Sequence, residues 1–420
     1  MQSKLFFNQI HSLVHSHHWN PDIIEYYIFK VLRDIGFSLL TLFVPIFLYA
    51  DLGYSIFQIM LVFIINQMFF LICVPFSGKI IQWIGVKHSM LLQLPGFILF
   101  AYGLQFLSGN FVADLGLITL LFALRACPKT PFFTAENLFI AKNILKNKKA
   151  QGKSLAVLKI ILILASLVSP LVGGLVTYFF GFEALFNMAI IILFIAAIPM
   201  LFGKDKHYEI KETVSEVVFF TWKKVSKFFH LAELGRQGPR SLLFLLWPLF
   251  LYIIVENTME LGILVSVSAF VAMIVSYFIG KIIDKHEPDT LIKYGSRASS
   301  LVFFLRGVFP SPIVLAITDA LNNIINPILD IPYEKKYYQY LNSFKSSIEV
   351  FVSSNLVMEI YATLTFTLLA IVFGALEFFN MEVTTDVFLF IFIFYSFFFF
   401  LMQNILKVKK GNSYFPVLSV

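Results

Sequence analysis

Charge is what this 420-residue chain has least of. Asp, Glu, Lys and Arg together make 14% of it, against 59% for hydrophobic residues. A soluble domain carries about 25% charged residues, so an ordinary water-facing surface is excluded and lipid is the expected solvent. Cysteine is nearly absent. Cys73 and Cys127, the only two, lie in apolar stretches, which argues against a disulfide framework and a cysteine-held zinc. Met1 to Asn20 has no apolar h-region, so no cleavable signal peptide is expected. No phosphate-cradling Walker loop, Gly-x-Ser-x-Gly elbow or His-Glu-x-x-His helix occurs. His11 and His15 are four apart, but no carboxylate at matching spacing completes a metal set, and an interfacial segment is the reading for Leu5–Val14. The expectation is no enzyme, no cofactor and no metal.

What the chain does have is apolar runs long enough to cross a bilayer, which takes about 20 residues per helix. They fall near 30–50, 56–77, 90–108, 115–140, 155–178, 184–202, 241–256, 261–280, 292–309, 312–332, 348–375 and 385–405. This predicts an all-α polytopic membrane protein of about twelve transmembrane helices. The formal net charge of +7 would suit nucleic acid if it were spread over one surface. Instead the Lys and Arg outside the spans gather on one side, including Lys146, Lys148, Lys149, Lys153 and the run from Lys204 to Arg240. The opposite loops hold only Arg306. That asymmetry is topological and predicts both termini in the cytoplasm, in the cell (inner) membrane, with lipids as partners and no nucleic acid.

The polar stretch 203–240 divides the chain into 1–202, a cytoplasmic linker, and 241–420; the linker reads as a solvated connection, with an amphipathic surface helix around Val214–Leu231 as the second reading. Six spans lie on either side. Gly78-Lys79-Ile80-Ile81 recurs as Gly280-Lys281-Ile282-Ile283, each copy at the inner end of its half's second span. Parallel six-helix repeats are a transporter plan.

Four patterns carry a resemblance to the major facilitator superfamily. The loop Gly78-Lys-Ile-Ile-Gln82-Trp83-Ile-Gly85-Val86-Lys87 is similar to that family's Gly-x-x-x-Asp-Arg-x-Gly-Arg-Lys loop, with Gln82 and Trp83 where the acid and first arginine belong. The loop after the eighth span keeps Gly280, Asp284 and Lys285. Arg125 lies in the fourth span, where many members place an arginine. Ser169-Pro170-Leu171-Val172-Gly173-Gly174 resembles a Gly-Pro-x-x-Gly-Gly segment of proton-antiporting exporters, which leans the reading toward efflux. The resemblance implies two pseudo-symmetric six-helix bundles, with loop residues Gly78, Gly85, Lys87, Gly280, Asp284 and Lys285 latching the cytoplasmic gate. The latch should be weaker in the first half, where Gln82 replaces the acid. Pro170, Gly173 and Gly174 suit close helix packing.

Ionisable groups inside spans are costly, and by default they face water or one another. The first span carries Lys30, Arg33 and Asp34; the fourth carries Arg125, Lys129 and Glu136. Arg125 and Lys129 share a helix face and need an anion, either a carboxylate or a substrate. The resemblance puts spans one, four, seven and ten around a central cavity, which would bring Asp34 toward Arg125 or Lys129. Asp319, Asn322, Asn323 and Asn326 form one stripe of the tenth span by their 3, 4, 7 spacing. Glu359 interrupts the eleventh, either as a second proton site or as a helix-packing carboxylate kept neutral by burial. The expected substrate and coupling cavity is thus Asp34, Arg125, Lys129, Asp319, Asn322, Asn323, Asn326 and Glu359, with Asp34, Asp319 and Glu359 as candidate proton carriers. The function this implies is a monomeric secondary transporter moving a small solute of unknown class by alternating access, with protons as a coupling ion. A lipid scramblase or membrane-embedded enzyme is the alternative, and a scramblase would need these charges to open sideways to lipid.

Overall fold

The structure, a computed structural model, describes residues 21–144, 151–201, 205, 207, 214–223, 225–283, 287–309, 311–344 and 348–408. All regular elements among them are helical, and each of the twelve stretches read as a span is found as a helix. α1 is Pro21–Ile46, closing in a π-turn, Phe47–Asp51. α2 joins Ile56–Cys73 to Ser77–Ile84 through the turn Val74–Phe76. α3 is Val86–Leu91 and Gln93–Leu104. α4 is Phe111–Ala126, Lys129–Phe139 and the π-turn Ile140–Ile144. One 51-residue run, Gln151–Leu201, breaks at Gly181, where φ is 81° and ψ 176°. Such backbone favours glycine, and the break separates α5 (151–180) from α6 (182–201).

In the second half, α7 comprises Lys227–Ser241, Leu242–Leu246 and Trp247–Val255. α8 is Thr258–Ile283, α9 Pro288–Val308, α10 Pro312–Leu341 and α11 Ile348–Phe378. α12 is Thr385–Ser396, Phe398–Leu401 and the turn Met402–Lys407.

Local chemistry sets these boundaries. Ser55 and Gln58 form a reciprocal capping box at the start of α2. Asn110 accepts from the Ala113 amide to start α4, and Ser311, followed by Pro312, starts α10. Pro75 and Pro128 sit at the breaks of α2 and α4, where a missing amide proton interrupts the hydrogen-bond ladder. Large side chains such as Phe194, Ile371, Phe390 and Phe397 are exposed on the outside of the bundle, as lipid-facing surfaces should be.

The halves meet along two seams, α2 against α11 and the α5 run against α8. In the second seam Gly174 and Gly262 face each other so closely that a Cβ on either would collide with the other helix's backbone. Ser266 donates to the Leu167 carbonyl at 2.8 Å nearby. Pro170, Gly173 and Gly174 therefore lie where helices approach: Gly174 on α8, and Gly173 against Phe43 and Leu39 of α1. At the end away from the linker, Ser55 bonds Glu377 at 2.8 Å and the Tyr49 and Tyr252 rings meet edge-on.

The linker departs from expectation. Its helix is only Val214–Lys223, and it buries Val217, Phe220 and Thr221 against α11 instead of lying alone on a membrane surface. A second helix starts at Lys227, capped by Ser226 (Ser226 Oγ to Phe228 N, 3.3 Å), and is already α7. Hydropathy placed this start too late because residues 227–240 are polar. Pairing inside the protein, not apolarity, buries them. His11 and His15, Lys146, Lys148, Lys149, Lys204, Asp284 and Lys285 lie outside the described residues; Gly280 is within α8.

Candidate functional site at the linker end of the bundle

A cavity of about 290 Å³ lies between the halves on the linker side. α1 contributes Lys30; α4 contributes Phe133, Glu136, Asn137 and Ile140; α7 contributes Arg236, Gln237 and Arg240. α10 adds Glu334, Tyr337 and Tyr338, and α11 adds Asn355, Met358 and Glu359. The two halves furnish it in parallel fashion. In the first, Lys30 pairs with Glu136 at 2.9 Å, and the Tyr26 hydroxyl donates to the same carboxylate at 3.0 Å. In the second, Arg236 pairs with Glu334 at 3.1 Å and Arg240 with Asp330 at 3.3 Å, while Tyr333 donates to Glu233 at 2.8 Å. Each first-to-fourth helix pair is thus held by ions and a tyrosine. The wall offers both signs of charge, already compensated, so a ligand here need not be charged.

Polar side chains also join the halves across this space. Tyr338 donates to Asn137 at 2.8 Å, and Asn355 donates to Thr134 at 2.9 Å. Deeper, Gln67 of α2 donates to Glu359 of α11 at 3.0 Å. Lys129 of α4 interacts electrostatically with that same carboxylate. Its Nζ also stands 4.8–5.1 Å from the ring centres of Phe37, Phe70 and Phe133. Glu359 is therefore a carboxylate of one half read by an amide and a cation of the other.

The other expected cavity residues have their own surroundings. Asp34 is buried and binds Arg33 at 2.6 Å and Lys30 at 3.2 Å. Its ion partners are Lys30 and Arg33 of its own helix and not Arg125 or Lys129, and Arg33 is itself fixed by a bond to Gln93 at 2.8 Å. Arg125 is buried amid five phenylalanine rings, of Phe63, Phe97, Phe100, Phe122 and Phe244, at 5.3–6.0 Å. Its Nε and Nη1 have no hydrogen-bond partner among the described residues. The ring faces supply the negative potential that carboxylates supply elsewhere.

Asp319 faces its own half. It accepts from Trp247 Nε1 at 3.0 Å and pairs with Arg306 at 3.3 Å. Arg306 is 0% exposed, stacked 3.8 Å over the Trp247 ring. The one arginine assigned to the far loops is in fact an interior residue of α9. Asn323 reaches Asp319 at 3.4 Å, and Asn322 is buried. With Asn326 these lie nearer the start of α10 than the cavity-lining Glu334, Tyr337 and Tyr338. Of the eight expected residues, Glu359 is among those that line this cavity. Asp34, Arg125 and Asp319 are buried, each against the neighbours just described.

Arg236, Arg240, Tyr337 and Tyr338 were not singled out as cavity residues. A signal existed: 233, 236, 237 and 240 recur at helical spacing, as do 330, 333, 334, 337 and 338, so each set marks one helix face.

The loop between α2 and α3 is built tightly. Gly85 has φ 90°, and Gly78 is buried in the second segment of α2. Lys87 Nζ bonds Asp22 at 2.8 Å and Glu25 at 2.9 Å. Burial alone would lower the Lys87 ammonium's pKa, but these carboxylates hold it above the usual value. The acid lacking at Gln82 is supplied from elsewhere. Asp205 accepts from the backbone amides of Lys87 and His88 at 2.8 and 2.9 Å and from the His88 ring at 2.6 Å. A residue beyond α6 thus caps α3 where the loop itself carries no acid. Asp205→Ala should lower stability by about 1 kcal/mol, the worth of a helix cap, read as an earlier thermal transition in detergent; an unshifted transition would show the cap to be idle.

The Major Facilitator Superfamily profile matches residues 27–329 of this chain. No curated protein sequence matches it. Among solved structures the chain is similar to the human organic anion transporter MFSD10 (TETRAN), at 13% identity, with 91% of this chain and 98% of that one covered and a TM-score of 0.60. It is similar to the nucleoside transporter NupG, at 12% identity, with 93% and 100% covered and a TM-score of 0.66. For the E. coli fucose:proton symporter FucP the identity is 12%, the coverage 92% and 98%, and the TM-score 0.61. At these identities the likeness speaks for the fold.

Proposed function

Since the chain belongs to the major facilitator superfamily, a family of small-solute transporters and not of enzymes, we propose that it works by alternating access about the linker-end cavity, with Glu359 as proton carrier. The observation that carries this reading is the seam at Glu359. A carboxylate on α11, in the cavity wall, is held by Gln67 and influenced by Lys129, both from the opposite half. Protonating Glu359 removes the charge that Lys129 and Gln67 respond to. The closure between halves then depends on whether a proton is bound, which is what coupling requires. The proton-coupled symporter among the similar structures lends the idea support by analogy only.

The cavity volume of about 290 Å³ is at the lower end of ligand pockets, which run about 300–1,000 Å³. Its tyrosine, amide and paired-ion lining suits a small polar solute. Both termini and the linker are proposed to be cytoplasmic, in a cell membrane, on the strength of the Lys and Arg gathered on that side. The Pro170-Gly173-Gly174 segment serves helix contacts here, so it lends no weight to export over import.

The test is a flux screen. Purified protein in liposomes is offered a panel of small polar solutes with and without an imposed pH gradient. At least one solute should accumulate only when the gradient is present. If no solute moves under any gradient, the carrier reading fails; if labelled phospholipids change leaflets instead, scrambling replaces it.

A further inference from the structure

Cys73 and Cys127 are the chain's whole cysteine complement, and the structure brings them together. Cys73 ends the first segment of α2, just before the turn that contains Pro75. Cys127 lies in the break of α4, between Ala126 and Lys129 and beside Pro128. Two proline-associated breaks therefore face each other, with the sulfurs 2.7 Å apart. Non-bonded heavy atoms rest about 3.5–4.0 Å apart, and bonded sulfurs about 2.05 Å, so little movement separates this dithiol from a covalent link. Both residues are partly exposed, and Ile72 and Phe76 beside Cys73 are exposed with it, so the way in is through the apolar face and suits a small apolar reagent. The apolar stretches around them made a disulfide unexpected. Contact between positions 54 apart in sequence supplies what spacing could not show.

We propose that Cys73 and Cys127 are a modification site, a dithiol that small disulfide oxidants convert reversibly to an intramolecular disulfide. One thiolate attacks a sulfur of the oxidant, forming a mixed disulfide and releasing one thiol. The second thiolate then attacks the protein sulfur of that mixed bond, forming the Cys73–Cys127 link and releasing the second thiol. The two cysteines lose two electrons and two protons, and the oxidant gains them. Both residues belong to the same half, so the bond does not tie the halves together. It fixes the break in α4 to the break in α2. Lys129 is two residues from Cys127, and its ammonium lies 5.1 Å from the ring centre of Phe70, three residues before Cys73. Gln67, on the same segment of α2, donates to Glu359. The link therefore clamps together the two groups through which the first half meets Glu359. Its effect on flux rests on the carrier reading proposed above, whereas its formation does not.

The full chain is purified, treated with the apolar oxidant 2,2′-dipyridyl disulfide or with dithiothreitol, and labelled with a polyethylene-glycol maleimide after denaturation. Reduced protein should take two labels and oxidised protein none. The unlabelled oxidised mass should be lower by two hydrogens, and dithiothreitol should restore both labels. If both thiols stay reactive after oxidant, or if non-reducing gels show only linked dimers, the site is overturned. In liposomes, gradient-driven flux should fall by more than half on oxidation and recover on reduction, with Cys73→Ser insensitive to both. Equal flux in the two states, with the disulfide demonstrably formed, overturns the control of transport. A disulfide that forms in a protein moving no solute in either state leaves the site standing and sinks the carrier reading.

Discussion

Replacing Arg306 with alanine is expected to destabilise the second half by about 3–5 kcal/mol, the cost of breaking a buried ion pair from one side. The guanidinium is 0% exposed. It contacts Asp319 at 3.3 Å, the Thr318 carbonyl at 3.3 Å and the Trp247 ring at 3.8 Å. α7, α9 and α10 converge on it. Without it Asp319 keeps the Trp247 indole and the Asn323 amide but loses its positive partner, and a cavity opens beside an indole ring. The check is thermal unfolding of detergent-solubilised protein. The single variant should melt far earlier than the parent, whereas Arg306→Met combined with Asp319→Asn should recover much of the loss. Removing both charges of a buried pair and refilling the space is close to neutral, while removing one is not. An Arg306→Ala protein that melts with the parent would remove the pair from the account of stability. The same pairing bears on transport assays: a silent Asp319→Asn variant has lost a structural partner and must be shown to be folded before its carboxylate is assigned to a proton path.

That pairing also marks where the sequence stops being legible. The spans were readable because crossing lipid imposes one constraint, about twenty apolar residues, on a single stretch of chain. The two halves were readable from a repeated tetrapeptide and a charged divide. The start of α7 was not, because Glu233, Arg236 and Arg240 look like solvated linker until Tyr333, Glu334 and Asp330 are known to lie opposite. Arg306 looked like a loop cation for the same reason. Asp205 capping α3 and Cys127 meeting Cys73 are likewise pairings between distant segments. Helical periodicity reports which residues share a face of one helix; it carries no record of which helix faces it. Asp319 to Asn326 lie on α10 at the spacing of one helix face, and only the structure shows that the first carboxylate pairs with Arg306 of α9 and Trp247 of α7.

Glu359→Gln should abolish accumulation driven by a pH gradient, down to the level of protein-free vesicles, while exchange of solute across the membrane continues. Glutamine matches the protonated carboxyl in size and cannot release a proton, so it holds the seam in a single protonation state. Gln67 can still donate to its oxygen, as it does to Glu359 at 3.0 Å, which keeps the packing of α2 on α11. The charge that Lys129 responds to is gone. A carrier whose halves no longer sense protons can rock with its solute bound but cannot convert a proton gradient into a solute gradient. Net uptake and counterflow therefore separate in this variant, whereas a folding defect would depress both. Glu359→Asp keeps a titratable group on a shorter arm and should retain part of the gradient-driven uptake. Undiminished accumulation by the glutamine protein would move the coupling site away from the α2–α11 seam. Loss of counterflow together with uptake would assign Glu359 to solute binding or to packing, and the proton would need another carrier.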